Sequence, residues 1–327
     1  MNVQYYQLGT LERLQDHLGH SYQVHQSVDN LAEPAPPLVS SKGHFFAERE
    51  NLFVFDGQCF RETLPQVEPF VLFGVTSCDL TAIAYQDQFF ARDPYYRARR
   101  EQALLVGIDC VRPCEHGFCP SVEAGPGVDL QQADLVLHAR EAGDWLLLVC
   151  SDKGREAILG LGLAEVDEKV LKERDSRIAD CVAAFPDDQY LRRGIEAINA
   201  DTVPDWQWQQ LGIQCLGCSG CTSLCPTCSC YGNRDQEESD STVTRQRFWD
   251  SCLYEGFQRE ASQHNPSEEA GERVRRFWTH KFGDDFVATF NRYGCVGCGR
   301  CEQTCPGVIG VHSVMRRIAE HAPNDKR

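Results

Sequence analysis

The pattern Cys-x2-Cys-x2-Cys-x3-Cys-Pro occurs twice in this chain, and it restricts the fold more than any other feature. It runs first through Cys215, Cys218, Cys221, Cys225 and Pro226, and again through Cys295, Cys298, Cys301, Cys305 and Pro306. Three thiols at intervals of three residues let one tight loop wrap three corners of a cubane. Gly217, Gly220, Gly297 and Gly299 let the backbone approach it closely. The fourth cysteine, followed by proline, turns away and ligates the other run's cluster when two runs are present. One [4Fe-4S] cluster is then expected on Cys215, Cys218, Cys221 and Cys305, and a second on Cys295, Cys298, Cys301 and Cys225. Zinc also favours paired C-x2-C units, but it closes a site with four ligands in two pairs, which three thiols in one run do not supply.

Composition supports a metalloprotein rather than a disulfide scaffold. Eleven of the 18 cysteines lie between Cys215 and Cys305, and the N-terminal residues show no basic start followed by an apolar run. No secretory signal is therefore expected, and a cytoplasmic location keeps thiols reduced and free for metal. With 32 Lys and Arg against 48 Asp and Glu, the formal net charge is -16, which disfavours nucleic acid and favours basic docking partners. No apolar stretch reaches membrane-spanning length.

Residues 1–200 alternate short apolar runs with helical patterns, as an α/β domain does. Strands are expected at Leu52–Phe55, Pro69–Gly74, Ala103–Ile108, Asp134–His138 and Trp145–Val149, with helices over Asp79–Phe90 and Gly154–Leu163. Val166–Ala200 reads as charged helix interrupted at Pro186, and the domain boundary is expected near Asp201. Residues 201–327 are expected to form an α-helical, ferredoxin-like dicluster domain. Its two cysteine runs would be separated by helical segments at Ser239–Ser262 and Pro266–Phe290.

Four further cysteines fall in the first domain. If Pro69–Gly74 and Ala103–Ile108 are parallel neighbours, Cys78 and Cys110 emerge at one sheet edge, where α/β folds bind ligands. Cys114 and Cys119 follow in a loop with Pro113, Gly117 and Pro120. Either these four thiols hold a third [4Fe-4S] cluster, or Cys78 and Cys110 are small buried hydrophobes. Cys59, Cys150 and Cys181 read as structural, whereas Cys228, Cys230 and Cys252 are open to sulfur hydrogen bonding, extra ligation or plain burial. Asp109, Glu115 and His116 read as solvated loop residues. Arg97, Arg99 and Arg100 read as a salt-bridged helix end, as does the group Arg273, Arg275, Arg276, His280 and Lys281, unless one of the latter bonds a cluster sulfur.

These segments together resemble the β subunit of cytoplasmic sulfhydrogenases, which are NiFe hydrogenases, and the related A subunit of anaerobic sulfite reductase. The likeness is carried by Gly74–Leu80, Asp93–Glu101, Asp109–Gly127, Cys225–Cys230, Trp249–Cys252, His280–Lys281 and Tyr293–Pro306. It implies an electron conduit between a flavin subunit that handles NAD(P)H and a catalytic subunit acting on protons, sulfur species or sulfite. It also implies that Cys78 and the Cys110 loop are ligands. The family loop has two cysteines around a phenylalanine, whereas here Gly117 precedes Phe118 and Cys119, which leaves Cys114 to take over the missing role. No dinucleotide fingerprint or phosphate-binding loop appears, so flavin and nicotinamide are expected on another subunit. The alternative is a self-sufficient iron–sulfur reductase with its substrate at the Cys78 and Cys110 edge.

Overall fold

The computed structural model describes residues 3–140, 142–238 and 242–321. The strands in chain order are β1 (Gln4–Leu8), β2 (Gln23–Gln26), β3 (Arg49–Phe55), β4 (Phe60–Glu62), β5 (Phe70–Thr76), β6 (Ala103–Ile108), β7 (Leu135–Ala139), β8 (Trp145–Val149), β9 (Ala164–Glu165), β10 (Tyr231–Glu237) and β11 (Val243–Trp249). The helices are α1 (Leu11–Gly19), α2 (Ser77–Phe89), α3 (Pro94–Gln102), α4 (Asp152–Ala157), α5 (Val170–Ala183), α6 (Gln189–Asn199), α7 (Asp205–Gln214), α8 (Gly220–Ser223), α9 (Ala270–Phe282), α10 (Asp284–Phe290), α11 (Arg300–Thr304) and α12 (Val311–His321). Among the described residues, no helix is long and apolar enough to cross a membrane.

Two compact units share these elements. The first comprises Met1–Phe45, Pro65–Pro186 and Val296–Cys298, and the second Phe46–Leu64, Asp187–Cys295 and Gly299–Arg327. The chain thus changes units after Pro186 rather than near Asp201. The reason is the apolar stripe of α6, with Leu191, Ile195 and Ile198 buried, which packs with α12 in the second unit.

In the first unit, a seven-stranded sheet runs in the order β2-β5-β6-β7-β8-β1-β9. β2, β5, β6 and β7 are parallel, while β8 and β1 close the far side antiparallel. β5 and β6 are buried along their whole length, which explains why they read as continuous apolar runs rather than as alternating strands. One face presents Val71, Phe73, Leu104, Val106, Leu135 and Leu147 to α1, whose Leu11, Leu14 and Leu18 complete the core. Each such side chain contributes roughly 1.5–3 kcal/mol by leaving water.

The second unit is less purely helical than its sequence suggests. A four-stranded antiparallel sheet, ordered β10-β11-β3-β4, occupies part of it. The helix expected over Ser239–Ser262 is therefore replaced by β11 and the turns after it, and Ser239–Ser241 lie outside the described residues. β11 reads Val-Thr-Arg-Gln-Arg-Phe-Trp, and its arginines find partners across strands rather than along a helix. Arg245 bonds Asp235 at 2.6 Å, and buried Arg247 bonds Glu50 at 3.0 Å. β3, assigned by sequence to the first domain, belongs to this sheet. Around it, α7 and α9 cross closely because Gly212 meets Gly271, where a Cβ on Gly212 would fall 2.7 Å from the Gly271 Cα.

Candidate metal centres

In the second unit, α7 ends at Gln214 and hands the chain directly to Cys215. Gly217 adopts φ +61 and Ser219 φ +60, a left-handed path that curls the chain around a pocket before α8 begins. Cys215, Cys218 and Cys221 line that pocket, and so does Cys305 from the far run. Leu253, Val274, Phe277, Trp278 and Ile309 form its apolar wall. The two runs meet through their short helices, with Gly220 of α8 facing Thr304 of α11.

These thiols lie close enough to act on one another. Burial, with Cys305, Cys215, Cys225 and Cys218 acting in the same direction, pushes Cys221 up to about 12. Burial, Cys305 and Cys218 raise Cys215 against the Gly217 N–H and Arg273, which act the other way. Closely set thiols that raise one another fit a cofactor whose irons require thiolates and supply positive charge. Among the described residues, no three or more His, Cys, Asp or Glu side chains close around a single metal ion. A cubane is a larger body and takes a wider ligand set.

Cys225 ends the first run, its sulfur 3.1 Å from Thr227 Oγ1. Thr227 donates to the Gly294 carbonyl at 2.8 Å, tying Cys225 to the residue just before Cys295. Lys281 from α9 is buried and donates to Thr227 Oγ1 at 2.8 Å and to the Cys225 sulfur at 3.4 Å. The hydrogen bond from Cys228 acts against burial, and with Lys281 it holds the Cys225 thiol well below its ordinary value. Of the five basic residues in the Arg273–Lys281 group, Lys281 is thus the one bonded to a candidate ligand. His280 packs its ring on Phe286, where burial and then Lys281 push it down to about 4. Arg275 pairs with Asp201.

The first unit gathers its own thiols at the carboxyl edge of the parallel strands. Thr76 of β5 pairs with Ile108 of β6, and Cys78 and Cys110 each follow two residues beyond that pair. Cys119 lies beside Gly125 and Ser77, where a Cβ on Gly125 would fall 3.1 Å from the Cys119 sulfur and 3.2 Å from the Ser77 Cβ. Burial raises Cys110 well above the ordinary thiol value, and Cys119 and Cys114 add to it. Cys119 is likewise raised by burial, by Cys114, by Cys181 and by Cys298. A side chain on Gly117 would collide with the Cys114 sulfur, so that sulfur already fills the space a residue-117 side chain would take.

The loop is held by a buried ionic knot. Asp109, adjacent to Cys110, is 1% exposed rather than solvated. It accepts from Arg174 Nε at 2.7 Å, from the Val128 backbone N–H at 2.7 Å, and lies 3.0 Å from His138 Nδ1. Burial alone would raise its carboxyl, but the hydrogen bonds from His138, Arg174 and Val128 outweigh it and hold the group below the usual carboxylate value. Arg174 also donates to the Val128 carbonyl at 2.8 Å, so α5 is pinned to both ends of the loop. Cys181 of the same helix is buried and lies among these thiols, with burial and Cys114 raising it to about 11. Cys59, by contrast, is exposed in a turn where its N–H bonds Asp56.

Val296–Cys298, the tip of the second run, also belongs to the first unit. Phe118 N–H donates to the Gly297 carbonyl at 2.8 Å, and Gly297 has φ +64 with no room for a Cβ, which would fall 2.6 Å from the Cys119 Cα. The Cys110 loop and the Val296–Cys298 segment are therefore in direct contact within the first unit. The arginines of α3 are absorbed structurally: Arg97 pairs with Glu101 and Arg100 with Asp87. Sequence reasoning missed Asp109, His138, Arg174 and Thr227 as parts of these centres, because each acts through a partner far away in the chain.

Residues 214–309 match the 4Fe-4S dicluster domain family. No solved structure was found to match the chain. Sulfhydrogenase 2 subunit beta of Pyrococcus furiosus is 34% identical over 306 residues, spanning 90% of this chain and 87% of that protein. With the dicluster match and likeness along nearly the whole length of both proteins, this chain belongs to the sulfhydrogenase β-subunit family.

Proposed function

We propose that this protein is the iron–sulfur electron-transfer subunit of a multi-subunit oxidoreductase. It would relay electrons between a flavin subunit using NAD(P)H and a catalytic subunit of the NiFe hydrogenase or sulfur- or sulfite-reducing type. The observation that carries this reading is the pocket shared by Cys215, Cys218, Cys221 and Cys305, which joins the first three cysteines of one run to the last of the other. That crossing is what a ferredoxin-like pair of [4Fe-4S] clusters requires. When bound, such clusters accept and release single electrons.

The second cluster is assigned to Cys225, Cys295, Cys298 and Cys301, and a third to Cys78, Cys110, Cys114 and Cys119. Cys114 is favoured for the fourth position of the third set because its sulfur fills the space that a residue-117 side chain would take. The chain's own residues have three tasks: to present thiolates, to exclude water with Phe277 and Trp278, and to bring the Cys119 neighbourhood against Cys298. Through that last contact electrons would pass between the third and second clusters.

Iron and acid-labile sulfide on anaerobically purified protein test the assignment. About twelve irons per chain are expected; about eight would remove the third cluster, and fewer than about four would overturn the reading. The self-sufficient reductase alternative predicts turnover of sulfite or polysulfide by the isolated chain with an artificial donor, whereas a conduit only takes up and passes on electrons.

A further inference from the structure

The helix α7, which leads into the first cysteine run, is apolar on both of its faces. Trp208 and Leu211 are buried on the side that packs with α9, whereas Trp206 and Ile213 on the opposite stripe are 53% and 78% exposed. A helix that is apolar all round is ordinarily covered all round. The exposed stripe continues into the cluster loop, where Leu216 is 69% exposed and Cys218 is exposed as well. Val308, just past Cys305 and Pro306, adds a further apolar side chain at 60% exposure. Close packing holds it there: a Cβ on Gly307 would collide with the Gln214 carbonyl, and Arg317 bonds both Gln214 Oε1 and the Val308 carbonyl.

Val308 is also strained. Its φ of +52 puts a β-branched residue in the left-handed region, where glycine or asparagine is the usual choice. Neither its conformation nor its packing within this chain accounts for a valine, whereas a surface that buries it would. The patch is uncharged too, although 24% of the chain is charged: no Asp, Glu, Lys or Arg lies between Asp205 and Arg234, or between Glu302 and Arg316. Depletion of charge around exposed tryptophan and aliphatic side chains marks the centre of a stable protein interface. A lipid surface calls for Lys and Arg among the apolar side chains, and a diffusing basic carrier calls for carboxylates. These segments supply neither.

Leu216 also lines the pocket of Cys215, Cys218, Cys221 and Cys305, so the patch lies at its rim. In the proposed relay the third cluster passes electrons to the second, which leaves the first-run cluster at the other end, where a partner must meet it. We propose that Trp206, Ile213, Leu216 and Val308 form the docking face for a permanently bound redox subunit. Its own apolar, uncharged surface brings a flavin, iron–sulfur or nickel centre up to the cluster of Cys215, Cys218, Cys221 and Cys305. Electrons cross this face singly and no bond is made or broken: one centre loses the electron that the other gains. The face rests on the reading of this chain as an electron-transfer subunit.

The test purifies the complex anaerobically through a tag on this chain, with a photo-crosslinking benzophenone amino acid in place of Ile213. Light is expected to join position 213 to a different polypeptide that itself carries flavin, iron–sulfur or nickel. A link to a second copy of this chain would overturn the face, and so would an assembled complex with no link at position 213. The unaltered complex is expected to stay whole in about 1 M salt, where charges are screened beyond about 3 Å, and its dissociation there would overturn an uncharged face. Ile213→Asp combined with Val308→Asp should release the partner at unchanged iron per chain; a partner that stays bound would overturn the face. If the double variant loses iron it has misfolded, and the crosslink, read on protein with every candidate ligand in place, decides instead. A chain that purifies alone would overturn the subunit reading and the face with it, which is distinct from an assembled complex that leaves position 213 unlinked.

Discussion

The pocket of the first cysteine run and the thiol group at the sheet edge are built by different means. Around Cys215, Cys218 and Cys221 the chain itself makes the site: a short loop with left-handed turns sets three thiols, and one distant residue, Cys305, completes the set. At the sheet edge no local motif exists. Cys78 and Cys110 follow adjacent strand ends only because β5 and β6 are parallel partners, and the loop carrying Cys114 and Cys119 is held by Arg174 from α5. The first site should therefore tolerate changes in its surroundings but no ligand loss, while the second should depend on its scaffold as much as on its thiols.

The largest contrast comes from ligands. Cys221→Ser is expected to remove about four irons per chain and the corresponding visible absorbance, since an iron without its thiolate is exposed to solvent and lost. Cys110→Ser should lower iron from about twelve to about eight and leave the dicluster signals in electron paramagnetic resonance unchanged. If iron is unaffected by Cys110→Ser, the sheet-edge site holds no cluster, and the comparison fails on that side.

Scaffold effects come next. Arg174→Ala leaves the Asp109 carboxylate buried without its main partner and is expected to cost about 3–5 kcal/mol of stability in denaturant unfolding. The sign with pH follows from the lowered carboxyl of Asp109. Its contribution is complete above the ordinary carboxylate value, about 4, and is lost as pH falls below it. Acid unfolding of the Arg174 variant should therefore show a shallower pH dependence than that of the unaltered protein.

Two finer changes sharpen the picture. Cys114→Ser is expected to lose the sheet-edge cluster, and adding Gly117→Cys should restore it, because removing the sulfur frees the space that a residue-117 side chain needs. Iron content read on the double variant decides between a shared position and two separate roles. The smallest effect is expected for Lys281→Met. Losing a charged hydrogen bond to the Cys225 sulfur should make one cluster harder to reduce, by on the order of 50 mV, about a tenfold change for one electron.

Legibility in the sequence followed how locally each feature is determined. Ala103–Ile108 was readable to the residue because a fully buried parallel strand is a continuous apolar run. β11 was misread as helix, since its arginines mark a strand only once Asp235 and Glu50 lie opposite them. Asp109 looked like a solvated loop residue for the same reason: its partners, His138 and Arg174, sit 29 and 65 positions away. Cys230 could be noticed but not placed, because the hairpin whose open end it flanks was not foreseen.

By itself the sequence determined the chemistry and count of the candidate ligands in the dicluster region, because cubane ligation imposes a short, rigid spacing. Tertiary structure decided which of the remaining thiols meet, and which charges attend them. Parallel pairing of β5 with β6 sets the strand ends before Cys78 and Cys110 together, the β10–β11 hairpin sets Cys230 opposite Asp250, and Lys281 reaches Cys225 from a separate helix. Such meetings depend on strand order and helix packing, which are properties of the whole buried core and leave no spacing in the chain to be read.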